Sequence, residues 1–101
     1  MNYKKIHDDI IQRSKNRIIQ GYTEKHHIQP RCMGGTNEKN NIAILTAREH
    51  FIVHLLLFKI YPKNLALVKA IMIMTIGQYE RKINNRFYER YKTKIANTSQ
   101  D

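Results

Sequence analysis

The sequence has one cysteine, Cys32, in 101 residues. No internal disulfide can form, and a four-cysteine zinc knuckle is excluded. A reducing compartment is compatible with this, and a cytoplasmic location is the expectation. The N-terminal stretch MNYKKIHDDIIQRSK is charged throughout and lacks the apolar core of a signal peptide. No uncharged apolar run reaches the roughly 18 residues of a membrane span. The most apolar run, Ala70 to Ile76, is far too short. Acidic residues are also scarce, 8 against 18 Lys and Arg, which leaves a formal net charge of +10. That imbalance favours a polyanionic partner, either nucleic acid or an anionic membrane surface; a merely soluble basic protein has the same composition. Internal repeats, linkers and low-complexity tracts are missing. The length suits a single small domain spanning 1–101, whose modest core a bound metal would help to stabilise.

Against this sparse background, the local patterns are distinct. Residues 2–20 are expected to form a helix with an apolar stripe of Ile6, Ile10, Ile11, Ile18 and Ile19, stopped at Gly21. Residues 24–30 suit a short strand ending at Pro30. A loop to Asn40 follows, with Gly34, Gly35 and several asparagines as turn formers. Residues 41–45, NIAIL, suit a second strand paired with the first. Thr46-Ala47-Arg48-Glu49 matches the capping box S/T-x-x-E, so a helix is expected to start at Thr46 and run through the apolar stretch Phe51 to Ile60. Tyr61-Pro62 breaks it. Two more helices are expected, over 63–76, with Leu65, Leu67, Val68, Ile71, Met72, Met74 and Ile76 for packing, and over 79–96, separated at Gly77. The last has a seam of Ile83, Phe87, Tyr91 and Ile95 among Arg81, Lys82, Arg86 and Arg90.

Four of the five histidines fall within 22–60, in two pairs. His50 and His54 are four apart on the capped helix, which puts both on one face at a spacing that lets two imidazoles share one ion. Alone, an H-x3-H pair is a weak signal. His26 and His27 strengthen it. Neighbours on a strand point to opposite faces, so one can join His50 and His54 around a metal while the other stays free as a base. An imidazole titrates near neutral pH and can take a proton from water. Three protein ligands leave coordination positions open, as in catalytic sites. Arg31 or Arg48 can grip a phosphate through the guanidinium fork, although solvated charge explains either residue equally well. Asn41 can bond backbone groups across the loop, with Asn40 a competitor for that role. His7 lies outside the cluster and reads as an ordinary surface or packing histidine.

The frame HHIxPR–GG–NI–LTxREH–xxxH resembles the HNH endonucleases of the ββα-metal (His-Me finger) class, and most closely the free-standing phage homing type. The resemblance covers about residues 22–60. It implies an α+β, mostly helical fold: a ββα-metal finger of two short antiparallel strands and a helix, flanked by an N-terminal helix and two C-terminal helices. It also implies roles. His26, His50 and His54 would hold one divalent cation, His27 would act as general base, and Asn41 would orient the loop and the base. Many family members have Asp where His26 stands. A three-histidine set suits zinc or nickel better than magnesium, with manganese the remaining candidate.

The expected function is thus metal-dependent hydrolysis or nicking of double-stranded DNA by a phage-type enzyme acting in the cytoplasm of a bacterial host. Arg31, Arg48, Arg81, Lys82, Arg86 and Arg90 are the expected phosphate contacts. With no room for a separate recognition module, specificity would fall to the basic terminal helices. Monomer and homodimer are both open, and no membrane partner is expected. The alternative is a non-catalytic basic nucleic-acid-binding module with a structural metal, which would bind DNA in a salt-sensitive way without cutting it.

Overall fold

The computed structural model describes residues 1–98; for Arg81 and for residues 83–98 it describes the backbone alone. Helix α1 is Tyr3–Ser14, strand β1 is Glu24–His27, strand β2 is Ile42–Leu45, helix α2 is Ala47–Ile60 and helix α3 is Leu65–Thr98. Two 3-10 turns, Arg31–Met33 and Lys39–Asn41, lie in the loop between the strands. The chain divides into two compact units, Met1–Ile71 and the remainder from Met72 onward. The expected α+β architecture, a ββα unit preceded by a helix, is the one found.

Helix α1 starts where Asn2 accepts the Lys5 backbone N–H through Oδ1 at 3.0 Å. It stops well before the expected Gly21. Ser14 turns its hydroxyl back onto the Ile11 carbonyl at 2.6 Å, and the next amides bond three residues back, Lys15 to Gln12 and Asn16 to Arg13. Polar side chains that compete for backbone groups weaken the last turn. Ile18 consequently leaves the expected stripe and is exposed, while Ile10 and Ile11 are buried. Gly21, at φ 103°, serves a turn between helix and sheet rather than a helix end.

Strands β1 and β2 pair antiparallel, with His26 opposite Ala43 and His27 opposite Ile42. The capping box forms as expected. Thr46 Oγ1 accepts the Glu49 N–H at 3.1 Å, and Glu49 Oε1 accepts the Thr46 N–H at 2.9 Å. Arg17, on the segment after α1, also bonds Glu49 Oε1. That contact holds the Glu49 carboxyl down at about 2 and ties the chain leaving α1 to the N-terminus of α2. The core gathers Ile10 and Ile11 from α1, Ala43 and Leu45 from β2, and Val53 and Leu56 from α2. Tyr3, Ile6, Ile28 and Ile52 pack around it. Leu45 and Val53 have no exposed surface; full burial of a side chain of that size is worth about 1.5–3 kcal/mol.

The C-terminal region differs from the two-helix expectation. α3 is one helix through Gly77. A lone interior glycine costs about 1 kcal/mol relative to alanine. Gly77 does not adopt positive φ, and no proline follows to end the helix. The start also shifts, to Leu65, because Asn64 Oδ1 caps the Leu67 N–H at 3.2 Å and leaves Pro62 in the preceding turn. Of the expected packing residues, Leu67 and Ile71 are buried, whereas Leu65, Met72 and Ile76 are exposed.

Candidate metal centre

Strand alternation sorts the first histidine pair. His26 faces the interior and is 1% exposed, while His27 is on the other face and half-buried. The capping box fixes the register of α2, so His50 and His54 stand one turn apart. The His26 ring is centred 5.4 Å from His50 and 5.1 Å from His54, and those two are 4.8 Å apart. One ring nitrogen from each of the three lies within 4.8 Å of the others. Two nitrogens at about 2.1 Å from a shared ion are at most about 4.2 Å apart, so small side-chain adjustments would let all three reach one ion.

The donor set fits a cation. Nδ1 of His26 and Nδ1 of His54 are both buried without a hydrogen-bond partner. Buried polar atoms are rarely left so, and a bound cation would satisfy both. The third histidine is oriented instead. Glu24 Oε1 accepts from His50 Nδ1 at 2.7 Å, which leaves Nε2 as the open nitrogen. A carboxylate behind a ligating imidazole fixes its tautomer and raises its basicity. Tyr22 in turn donates its hydroxyl to Glu24 Oε2 at 2.6 Å. Burial, with the neighbouring histidines, lowers His26 to about 2, and burial with His50 and His7 lowers His54 to about 4. Both are neutral at physiological pH, the form in which imidazole binds a metal.

His27 belongs to a separate arrangement on the loop side of β1. Its Nε2 donates to Asn37 Oδ1 at 2.8 Å, which leaves Nδ1 as the free proton acceptor. The side-chain hydrogen bonds of Asn41 go to backbone groups of Gln29 and Thr36 and not to His27. Asn41 staples the loop to the strand end: Oδ1 accepts the Gln29 N–H at 2.8 Å, and Nδ2 donates to the Gln29 carbonyl at 3.1 Å and to the Thr36 carbonyl at 2.8 Å. The two glycines have different jobs. Gly34 takes φ 89°, in the left-handed region. Gly35 lies so near the backbone just beyond β1 that an added Cβ would sit 1.8 Å from the Gln29 carbonyl oxygen.

Three residues that partner these histidines escape sequence reasoning: His7, Glu24 and Asn37. His7 is no surface residue, being 1% exposed, and its Nε2 is 3.2 Å from Nε2 of His26. The available signal was its place on α1, in line with Ile10, Ile11 and Ser14 on the buried face. Nothing local to Glu24 or Asn37 marks either one. Arg31 and Arg48 are both exposed, Arg31 on the first 3-10 turn of the loop between the strands and Arg48 on the first turn of α2. Lys82 is exposed on α3. The side chains of Arg81, Arg86 and Arg90 lie outside the described residues.

A ββα unit with three histidines converging from β1 and α2 and a fourth set apart on the opposite strand face is the class of site defined by the fold. The whole sequence is similar to a set of phage proteins. The chain is 44% identical to the "Probable mobile endonuclease B" of Enterobacteria phage T4 over 97% of its own length and 39% of that protein's. It is 44% identical to "Probable mobile endonuclease E" of the same phage over 91% of its length and 68% of that protein's. With "Probable mobile endonuclease C" it shares 35% identity over 93% of its length and 45% of that protein's. The chain belongs to this family of phage mobile endonucleases, and spans about two-fifths of mobile endonuclease B and about two-thirds of mobile endonuclease E. No family model matches it, and no solved structure matches it.

Proposed function

We propose that the chain is a metal-dependent DNA endonuclease of the HNH type, acting as one nuclease domain and used by a phage as a homing enzyme in the host cytoplasm. The observation that supports this most strongly is the pair of buried, unpartnered ring nitrogens on His26 and His54 beside the Glu24-oriented His50. His26, His50 and His54 are the proposed ligands of one divalent ion, with zinc, nickel, manganese and magnesium the candidates. Once bound, the ion would neutralise charge developing on the scissile phosphate and the leaving oxygen.

The chain's own residues supply the rest. His27, held through Nε2–H by Asn37, takes a proton on Nδ1 from water as the water oxygen attacks phosphorus and the ester P–O bond breaks. Asn41 keeps the loop carrying Asn37 folded against the end of β1 and so acts at one remove. Arg31 and Arg48 provide exposed guanidinium groups for phosphate oxygens, and Lys82 adds charge on α3. One such centre cuts one strand per encounter, so a nick is the expected product on double-stranded DNA. A double-strand break requires two subunits or two events.

The test is relaxation of supercoiled plasmid by the full chain with magnesium, manganese, zinc or nickel, with a chelator control and an RNA substrate alongside. Nicking with metal and none with chelator is expected, and His27→Ala should lower the rate by roughly 10²–10⁴-fold while DNA binding persists. Salt-sensitive DNA binding without cleavage under every metal would replace this reading with the non-catalytic binding module.

A further inference from the structure

His7 comes from α1, outside the ββα unit, yet it is among the most deeply buried side chains of the protein. Its ring meets His26 edge-on, with centroids 5.4 Å apart. It does not join the three nitrogens that lie within 4.8 Å of one another; among the described residues that group is His26, His50 and His54. His7 instead bridges two partners. Nδ1 is 3.0 Å from Asp8 Oδ1, and Nε2 is 3.2 Å from His26 Nε2.

Hydrogen-bond polarity follows from these partners. Asp8 is also bonded by the Lys4 ammonium at 2.9 Å and 3.1 Å. A carboxylate so placed only accepts, so His7 carries its proton on Nδ1. Nε2 of His7 is then a bare acceptor, and His26 must donate from its own Nε2. The remaining His26 nitrogen, Nδ1, is left with a lone pair, and it is one of the two buried atoms lacking a partner. The opposite polarity would bury an unpaired N–H at that point, where nothing accepts it.

We infer that His7, backed by Asp8, is a positioning residue of the metal centre: it accepts the Nε2–H of His26 and so presents the His26 Nδ1 lone pair to the ion. His26 and His50 then have parallel support, Glu24 acting on His50 directly and Asp8 acting on His26 through a second imidazole. Such outer partners orient the ligand ring and raise its basicity, and losing one typically weakens metal binding by roughly 10–100-fold. The inference rests on the three-histidine metal site proposed above.

Cobalt(II) titration of the full chain, read by absorption, tests it without reference to cleavage. His7→Phe fills the space but has no acceptor and should bind cobalt roughly 10–100-fold more weakly than the parent. His7→Gln, whose carbonyl oxygen can accept from His26, should recover most of that affinity with an unchanged cobalt spectrum. Long-range proton–nitrogen NMR of the metal-free parent should show His26 protonated on Nε2 and His7 on Nδ1, a readout independent of whether a variant folds. Equal cobalt affinity in His7→Phe overturns the inference, as does a proton on His26 Nδ1. A loss in His7→Gln as large as in His7→Phe, with an altered spectrum, would make His7 itself a ligand and overturn the positioning role. A parent chain that binds no cobalt defeats the metal site first and this inference with it; binding by the parent with no effect of His7 defeats only the inference.

Discussion

Replacing Asn41 tests whether the loop between the strands is a built part of the site. Asn41→Ala removes one accepted and two donated hydrogen bonds, all between 2.8 and 3.1 Å and all to backbone groups of Gln29 and Thr36. Each such bond contributes about 1 kcal/mol net, and water replaces part of it at this half-exposed position, so a loss of about 2 kcal/mol is expected. For a domain of this size that corresponds to a fall in Tm of roughly 8–16 °C. Asn41→Asp keeps the acceptor for the Gln29 amide but sets a carboxylate against two carbonyl oxygens, and should be at least as destabilised as the alanine variant. Thr36 directly precedes Asn37, the partner of His27, so nicking should also fall in both variants at temperatures where they remain folded. Thermal unfolding by circular dichroism and plasmid relaxation measure the two effects. A Tm for Asn41→Ala within about 2 °C of the parent, with nicking intact, would refute the stapling argument.

Two further tests follow from the same geometry. Gly35→Ala forces a Cβ to within 1.8 Å of the Gln29 carbonyl oxygen, a backbone atom that cannot swing away, and should cost about 3 kcal/mol. Gly34→Ala suffers only its positive φ, at about 1–2 kcal/mol, so chemical denaturation of the two variants should rank Gly35→Ala as the worse, and the reverse ranking would contradict the close approach. For the metal-free chain, burial holds His54 at about 4 and His26 at about 2, below the ordinary 6.5. The unfolded chain therefore binds protons that the folded chain refuses. The stability from both groups is complete above about pH 6.5 and declines as the pH falls towards 4, by a few kcal/mol in total. Denaturant midpoints that stay flat over that range would show that these imidazoles are not held neutral by burial.

Much of the ββα unit was legible because its signals are local. The Thr46–Glu49 box acts over three residues and fixed the phase of α2, hence the shared face of His50 and His54. Period-two alternation separated His26 from His27 for the same reason. Errors arose where a local signal competes with context. Gly77 looked like a helix end, yet a cost of about 1 kcal/mol does not break a helix that continues on both sides. The isoleucines at 18 and 19 extended an apparent stripe past Ser14, where a back-bonded hydroxyl had already ended α1.

The sequence alone thus determined the order of the elements as far as α2, the placing of His26 and His27 on opposite faces of one strand, the shared face of His50 and His54, and the excess of positive charge, all consequences of short-range geometry and composition; which of His26 and His27 faces inward it left to the resemblance. Tertiary structure decided what surrounds each histidine. His7 reaches His26 across 19 residues because α1 packs its buried face onto the unit. Glu24 reaches His50 across 26 residues because β1 lies beside α2, and Asn37, not Asn41, reaches His27 because the loop is folded back. Hydrogen-bond partners brought together by chain packing leave no periodic trace in sequence, since only the final distance between their atoms, and not their spacing along the chain, determines whether they meet.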